Sequence, residues 1–223
     1  MDRFLTDFQK KVLKEVGKTE LAKSFIWSGG TALSHCYLQH RESFDLDFMS
    51  MDLFPDEFIL EEVRKIAENL EVKKIEEQKI YNRHNFWLAK NNKTLKLEFV
   101  FYPFPSIRKP KKSEEFNVKI DSIEDILTNK MHAIFERSEP KDVFDFYCIL
   151  KNKKIKLKIV FNWVKKKFGV EIDPVLFIGK LLEGADKLNE IKPLVVIKKL
   201  YQSDKIKEYF EQEAQRHLKK KIR

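Results

Sequence analysis

Residues 28–48, which read SGGTALSHCYLQHRESFDLDF, constrain the fold more than any other segment. A glycine pair precedes a predicted helix, and further along Asp45 and Asp47 stand two apart among apolar neighbours. Because side chains alternate faces along a strand, both carboxylates are expected on one face, with Leu46 and Phe48 on the other. Two carboxylates on a partly buried face repel each other, so we expect a cation there. Hard oxygen ligands favour Mg²⁺ or Mn²⁺.

This segment also resembles a known family. The sequences GGTAL at residues 29–33 and HRESFDLDF at residues 40–48 resemble the AbiEii-type branch of the DNA polymerase β-like nucleotidyltransferases. That branch includes the nucleotidyltransferase toxins of bacterial toxin–antitoxin and phage-abortive systems. The resemblance implies an α+β fold with a palm made of a mixed sheet and flanking helices. It also implies two metal ions and the transfer of a nucleotide from an NTP to an acceptor.

Composition is compatible with such an enzyme. The chain has 223 residues, of which 43% are hydrophobic, so it can bury a sizeable core. It contains no run of eighteen apolar residues and no apolar signal-peptide core, so we expect a cytoplasmic protein with no membrane segment. The two cysteines, Cys36 and Cys148, are expected to be reduced thiols.

The hydrophobic pattern predicts an α/β half followed by a helical half. We place the nucleotidyltransferase core at residues 1–110 and a helical, basic domain that completes the nucleotide site at residues 111–223. The first half is expected to begin with a helix over residues 3–23, with Gly17 as a candidate break. Later strands are expected at 25–27, 44–49, 71–77, 80–89 and 94–102, with a hairpin turn at residues 91–93 between the last two. A further helix is expected over 55–70 and a short strand over 116–120. The remaining helices are expected at 122–136, 140–151, 155–168, 173–182 and 203–220.

The positive charge is concentrated near the C-terminus. Residues 151–223 contain 20 Lys and Arg against 9 Asp and Glu. The lysines cluster in four runs, namely residues 151–158, 165–167, 198–199 and 219–221. Clustered lysine attracts phosphate backbones without reading sequence, so this half is expected to contact nucleic acid unless the runs are only solvated helix faces.

The resemblance implies a third carboxylate beside the aspartate pair, on a neighbouring strand. Glu98 is the only acid in the apolar run around it, with Leu97 and Phe99 facing the opposite way. The resemblance implies catalytic and metal-binding roles for Asp45, Asp47 and Glu98, although the family more often has Asp at the third position. Glu98 therefore either reaches the metal through its longer arm or belongs to a modified metal site. The alternative is a glutamate exposed to water on an edge strand.

The residues around the aspartates are expected to bind the nucleotide. Gly29 and Gly30 would let triphosphate oxygens approach backbone N–H groups at a helix N-terminus. Thr31 would bind phosphate or act only as the helix N-cap. Arg41 and Ser43 would contact the nucleotide or brace the metal ligands. For the neighbouring His40 we expect a structural role in holding the turn.

A second block, residues 121–150, extends the resemblance, which covers about residues 25–150. Lys130 is expected to reach the β- and γ-phosphates, as a long, flexible cation can. Asp142 would act as a general base, or would orient Lys130 or Arg137. The resemblance also implies functional roles for Arg137, Lys141 and Asp145. The alternative for Asp145 is a simple pair with Lys141 at the i,i+4 spacing.

These features together predict a metal-dependent nucleotidyltransferase with Mg²⁺ or Mn²⁺ as cofactor. The resemblance implies an NTP donor, an acceptor such as the 3′ end of a tRNA, and a cognate antitoxin as partner. A protein hydroxyl or a small molecule remains an open alternative for the acceptor. The alternative to an enzyme is a catalytically inactive protein that binds nucleotide or RNA on the same fold.

Overall fold

The computed structural model describes residues 3–221 and the side chains of residues up to 216. The chain divides into two compact units. The first comprises Met1–Tyr37 with Glu42–Ser122, and the second comprises Leu38–Arg41 with Ile123–Arg223. The chain therefore leaves the first unit for four residues and returns to it before the aspartate strand begins.

The first unit is built on a mixed sheet that has seven strands within the described residues. In chain order these are β1 Ile26–Ser28, β2 Leu46–Ser50, β3 Lys74–Ile80, β4 Arg83–Lys90, β5 Lys93–Phe101, β6 Lys111–Lys112 and β7 Lys119–Ile120. Their order across the sheet is β3-β4-β5-β2-β1-β7-β6. The β2–β5 and β1–β7 pairs are parallel, whereas the other pairs are antiparallel.

Four helical segments of the first unit start where the sequence provides suitable residues. They are α1 Asp7–Val16, α2 Leu21–Ser24, α3 Gly29–Leu33, which continues as a π-helix through Ser34–Leu38, and α4 Asp56–Asn69. Helix α1 begins with a capping box, in which Thr6 accepts from the Gln9 amide and the Gln9 side chain accepts from the Thr6 amide. This reciprocal pair satisfies backbone donors that have no partner inside the helix.

The core of the first unit lies on one face of the sheet. Phe48 of β2 stands opposite Trp27 of β1 and Phe99 of β5. The Phe48 and Phe99 rings stack with their centroids 5.5 Å apart, and all three residues are at most 1% exposed. Because side chains alternate along each strand, the residues between them point to the other face. Asp47 therefore shares its face with the residues opposite it on β1 and β5.

The sheet is extended at one edge by a tight hairpin between β4 and β5. Asn91 and Asn92 connect the strands with φ values of 49° and 57°. A two-residue turn with both φ values positive matches the twist of an antiparallel pair, and asparagine tolerates that conformation. The predicted turn at this position is confirmed.

The second unit is helical throughout its longer segment. It contains α5 Ile123–Arg137, α6 Pro140–Lys153, α7 Leu157–Phe168, α8 Pro174–Asp186, a 3₁₀-helix over Leu188–Leu194 and α9 Ser203–Lys221. Pro140 and Pro174 occupy first-turn positions of α6 and α8, where the missing N–H costs nothing, and Gly169 ends α7 with a φ of 70°. The segment Leu38–Arg41 joins this unit through a bridge between Arg41 and Val195.

The α+β class and the helices predicted after residue 54 are confirmed, and three local predictions are wrong. The aspartate strand begins at Leu46, so Asp45 lies just before it. The last strand of the sheet is the two-residue β7 rather than 116–120. Thr31 is not a helix cap, because α3 begins at Gly29 with Ser28 as its N-cap. The candidate break at Gly17 in the first predicted helix is confirmed, since Gly17 is the C-cap of α1 and α2 follows separately.

Two further observations concern the chain as a whole. Because β7 pairs with β1, residues 111–122 stay with the sheet, and the units change over after Ser122. The division predicted at residue 110 stays a prediction. No helix among the described residues has the length and apolar character needed to span a bilayer.

Candidate functional site

A row of polar residues crosses the sheet on the face opposite the core. Asp47 of β2 stands opposite Ser28 of β1 on one side and Glu98 of β5 on the other. Glu98 in turn stands opposite Asn85 of β4. Residues in register on paired strands project from the same face, so the sheet collects these four side chains into one row. The structure thus brings the predicted carboxylates Asp47 and Glu98 side by side.

The glycine turn packs directly against one of these carboxylates. Gly29 has a φ of +76°, a conformation that L-residues rarely adopt. A Cβ atom at this position would lie 2.0 Å from Oδ2 of Asp47. Only glycine therefore fits here, for reasons of both conformation and space. Its neighbour Gly30 is buried within the first turn of α3.

The helix that follows the glycine turn is tied to the residue before β2. The Thr31 hydroxyl is fully buried and donates to the backbone carbonyl of Asp45. This bond holds α3 against the start of β2. The side chain of Asp45 is half-buried. Ser43, two residues earlier, accepts from the Gln9 side chain through its carbonyl at 3.2 Å. Phosphate binding by Thr31 and nucleotide binding by Ser43 stay predictions.

Glu98 is buried and is neutralised by two cations. Only 6% of the residue is exposed, and β5 lies between β4 and β2, so the alternative of an edge-strand glutamate in water is wrong. Its Oε2 accepts from Nη1 of Arg83 and its Oε1 accepts from Nζ of Lys96, both at 3.2 Å. Burying an ionised carboxylate is costly unless cations or donors compensate it, and these two side chains provide that compensation.

Three polar residues of this region were not predicted from the sequence, namely Ser28, Asn85 and Asp121. Asn85 is 4% exposed, and its Oδ1 has no hydrogen-bond partner among the described residues. The Ser28 hydroxyl donates to Oδ2 of Asp121 at 2.8 Å. Asp121 follows β7 directly, and its amide donates to the Trp27 carbonyl at 2.9 Å. These residues could have been found from the sequence, because each is a polar residue at the end of, or inside, an otherwise apolar strand.

The carboxylates in and beside the row suit a hard divalent cation. Asp45, Asp47 and Glu98 provide carboxylate oxygens, the ligands that Mg²⁺ and Mn²⁺ prefer. Within the described residues, no three Asp, Glu, His or Cys side chains lie close enough together to form a metal cage by themselves. Glu98 faces Arg83 and Lys96 instead. The metal-binding roles of the three carboxylates stay predictions.

A second polar cluster lies inside the helical unit. Nζ of Lys130 on α5 lies 2.5 Å from Oδ1 of Asp142 and 2.7 Å from Oδ2 of Asp145, both on α6. Arg137 reaches Oδ2 of Asp142 through its Nη2 at 2.6 Å. Both aspartates are fully buried, whereas the Arg137 side chain is 48% exposed. The suggestion that Asp142 orients Lys130 or Arg137 agrees with these contacts.

The four-residue segment of this unit supplies the other partners of Asp145. Arg41 binds it in a bidentate manner, with Nε to Oδ1 at 2.6 Å and Nη2 to Oδ2 at 2.8 Å. His40 places Nε2 2.7 Å from Oδ1 and stacks on Phe144. Its carbonyl accepts from the amides of residues 196 and 197. The structural role expected for His40 is thus visible in its contacts.

Charge compensation sets the pKa values in this cluster. Burial alone would raise the pKa of Asp145, but the charges of Arg41 and Lys130 hold it well below its usual range. Burial would lower the pKa values of Arg41 and Lys130, and the aspartates raise them instead. For His40, burial outweighs Asp145 and lowers the pKa. A neutral His40 leaves three cations against two carboxylates, so the cluster carries one net positive charge.

The lowered pKa of His40 predicts a loss of stability in mild acid. The unfolded histidine titrates near 6.5, so below that pH the unfolded state binds more protons than the folded state. The free energy of unfolding should therefore fall as the pH drops, by up to about 1.4 kcal/mol per pH unit for this proton. His40→Gln keeps a donor and does not titrate. Urea unfolding between about pH 5 and 7 should show a shallower slope for the variant. Equal slopes would contradict the assignment.

Two predictions about charged residues in this unit are wrong. Lys141 is exposed and forms no ion pair with Asp145, because Asp145 points inward to Arg41, His40 and Lys130. Lys167, expected on a basic surface, is 5% exposed and bonds Oδ1 of Asp125 at 2.6 Å. The side chains of residues 219–221, the last predicted basic run, lie outside the described residues. Roles for Arg41, Lys130 and Asp142 at a nucleotide stay predictions.

Comparison with known proteins identifies the family. The family model described as "Nucleotidyl transferase AbiEii toxin, Type IV TA system" matches residues 11–217. The chain belongs to the AbiEii nucleotidyl transferase toxin family. The resemblance inferred from the glycine and aspartate motifs is thereby confirmed, and the match extends beyond them into α9. Membership in this AbiEii family gives the activity class, nucleotidyl transfer, and the biological class, a toxin of a toxin–antitoxin system.

Individual relatives match nearly the whole chain. The uncharacterized protein aq_aa25 of Aquifex aeolicus (strain VF5) is 28% identical over 221 residues, covering 94% of this chain and 99% of the relative. A crystal structure described as a candidate nucleotidyltransferase from H. pylori has a TM-score of 0.61 at 21% identity, covering 97% of each chain. That of JHP933 from Helicobacter pylori has a TM-score of 0.59 at 19% identity, covering 100% of this chain and 96% of that one. The nucleotidyltransferase fold is thus confirmed.

Proposed function

We propose that this protein is a metal-dependent nucleotidyltransferase that moves a nucleotide from an NTP to an acceptor hydroxyl. The observation that carries the proposal is the placement of Asp47, which lies directly opposite Glu98 and against Gly29. Because Gly29 is the first residue of α3, this helix begins with a residue that has no side chain. Such a turn gives phosphate oxygens access to backbone N–H groups.

In the proposed reaction, the residues of the glycine turn and the neighbouring aspartates hold the triphosphate and the metal ion. Gly29 and Gly30 admit the triphosphate, and Asp45 and Asp47 hold Mg²⁺ or Mn²⁺. When bound, the ion would polarise the phosphoryl oxygens and favour deprotonation of the attacking hydroxyl. The Thr31 hydroxyl fixes the Asp45 backbone, and so positions the first carboxylate relative to α3. The chain thus supplies orientation and charge, which is most of what phosphoryl transfer requires.

We propose RNA, such as the 3′ end of a tRNA, as the acceptor, and a cognate antitoxin as the partner. The excess of lysine beyond residue 150 supports an acceptor with a phosphate backbone. The family description, a type IV toxin–antitoxin system, supports the antitoxin. These assignments go further than the family membership itself.

A labelling experiment tests the proposal. The protein would be incubated with each α-³²P-labelled NTP, Mg²⁺ and total cellular RNA and protein. We expect label from at least one NTP in a defined RNA band, and complete loss of labelling with EDTA, because the transfer needs the divalent ion. Added Mg²⁺ or Mn²⁺ should restore labelling. Labelling that persists in EDTA would contradict the metal requirement, and label in protein alone would contradict the RNA acceptor.

A second candidate function is a nucleotide- or RNA-binding protein without activity. The pairing of Glu98 with Arg83 and Lys96 favours it, because these cations neutralise the carboxylate in place of a metal. This candidate predicts that nucleotide and Mg²⁺ raise the melting temperature while no label is transferred from any NTP. Transfer that is lost on replacing Asp47 would exclude it.

A further inference from the structure

A large basic groove lies within the helical unit, where the end of α6 and the start of α7 approach α8 and α9. Its volume is about 1090 Å³, and its lining includes Lys151, Lys154, Lys156, Lys158 and Tyr209. All four lysines are exposed. The groove thus collects one of the predicted lysine runs into a single concave surface.

The four groove lysines carry uncompensated charge. None of them forms an ion pair with a carboxylate among the described residues. Other cations in the lining differ, since Lys165 pairs with Glu171, and Arg216 Nη1 lies 2.5 Å from Glu213 Oε1. Lysines crowded in one concave surface repel one another, and an anionic ligand relieves this repulsion.

Local structure at the start of α7 strengthens the positive field. Lys156 is the N-cap of this helix, and the first turn contains no acidic residue. Cations are unfavourable at the positive end of a helix dipole, where natural sequences favour Asp and Glu. Lys156 and Lys158 therefore stand where helix stability alone favours the opposite charge. An anionic ligand bound at the N-terminus of α7 offsets the unfavourable interaction between these lysines and the helix dipole.

Aromatic rings stand among the lysines. The Lys151 Nζ lies 4.6 Å from the centroid of the Tyr209 ring and 5.8 Å from that of the Tyr147 ring. Phe161 also contributes to the lining. Basic grooves with interspersed aromatic rings suit single-stranded nucleic acid, because lysines follow the backbone while rings contact the bases.

We propose that this lysine groove binds the phosphate backbone of a single-stranded segment of RNA. Its role as the acceptor strand rests on the proposed transferase function, whereas the binding itself does not. The volume exceeds what a lone phosphate fills, and a membrane surface is too flat to follow a concave wall. A strand places successive phosphates along Lys151, Lys154, Lys156 and Lys158.

The proposal is tested by RNA binding without NTP and in the presence of EDTA, so that no transfer takes place. The probe is a fluorescent single-stranded RNA of about 12 nucleotides. The groove variant carries Lys→Gln at residues 151, 154, 156 and 158. The matched control carries Lys→Gln at residues 192, 198, 199 and 205, which are exposed lysines of the same unit outside the groove. Both variants lose the same charge, and melting temperatures confirm that both fold.

We expect the groove variant to weaken RNA binding at least about tenfold and to lower the slope of log Kd against log salt by about 3, or roughly 0.7 for each lost phosphate contact. The control should bind within about twofold of the unaltered protein. Equal weakening in both variants would overturn the proposal, since overall charge would explain it. The proposal would also be overturned if the groove variant lost binding to vesicles of anionic lipid but kept its binding to RNA.

The assignment of a single strand and the link to catalysis have separate readouts. A duplex RNA of equal charge that competes as well as the single strand would overturn the single-strand assignment. Failure of the groove to bind RNA leaves the labelling experiment and its metal dependence unaffected. Conversely, absence of labelling from every NTP would reject the proposed transferase function while RNA binding by the groove persists.

Discussion

Replacing Asp47 with Asn is expected to lower the rate of nucleotide transfer about a thousandfold, which corresponds to roughly 4 kcal/mol of barrier. The neutral amide keeps the size of the side chain and its contact with Gly29, but it loses the charge that holds a divalent cation. Asp47 lies on the polar face of the sheet and outside the apolar core, so the fold should survive. We expect the melting temperature without metal to change by no more than a few degrees, or to rise, because the repulsion from Glu98 falls.

The control for this substitution is Asp52→Asn, which makes the same chemical change at an exposed aspartate just beyond β2. It should transfer label at the rate of the unaltered protein. The measurement is the initial rate of labelling under saturating NTP, with Mg²⁺ titrated over a wide range. A rate for Asp47→Asn within about tenfold of the unaltered protein would remove Asp47 from the catalytic assignment.

Replacing Asp145 with Ala is expected to lower the free energy of unfolding by about 3 to 5 kcal/mol. Asp145 is fully buried and compensates Arg41 and Lys130, which are 3% and 8% exposed. Its removal leaves two buried cations with one remaining carboxylate, Asp142. Because small domains are stable by only about 5 to 15 kcal/mol, this variant should unfold at much lower urea concentration.

The matched control is Asp186→Ala, which removes an aspartate from an exposed ion pair with Lys207, whose Nζ lies 2.6 Å from Oδ1. Exposed pairs contribute little to stability because water screens them, so the control should differ little from the unaltered protein. A double variant, Arg41→Met with Asp145→Leu, separates charge from packing. It should be more stable than the sum of the two single changes predicts, since no unpaired charge remains on either side of the contact. Equal losses for Asp145→Ala and Asp186→Ala would contradict the importance of burial.

Periodicity and turn residues were sufficient to predict most of the secondary structure. The alternation around Asp47 placed it on the face opposite Phe48, and the structure agrees. Glu98 could be chosen as its neighbour because an acid inside an apolar strand has few explanations. The position of β5 beside β2 was beyond that reasoning, since strand order depends on which distant segments pack together.

The partners of the buried charges could not be predicted from the sequence. An i,i+4 rule suggested that Asp145 pairs with Lys141, but burial of α6 turned Asp145 toward Arg41, which is 104 residues away in the chain. Similarly, a run of lysines at 165–167 suggested a uniform basic surface, whereas Lys167 is buried and forms an ion pair with Asp125 inside the unit. Charge patterns along a chain report composition, and only the packing decides which charges face solvent.

The segment Leu38–Arg41 belongs to the helical unit, and this limits how the two halves of the chain can be exchanged between proteins. A cut after Ser122 yields two continuous pieces, but the second piece then lacks Arg41 and His40, which bind Asp145. Recombination at that point would join a foreign helical half to a loop that does not match its buried aspartate. The four-residue loop and α6 are therefore expected to change together, even though most of the chain between them belongs to the other compact unit.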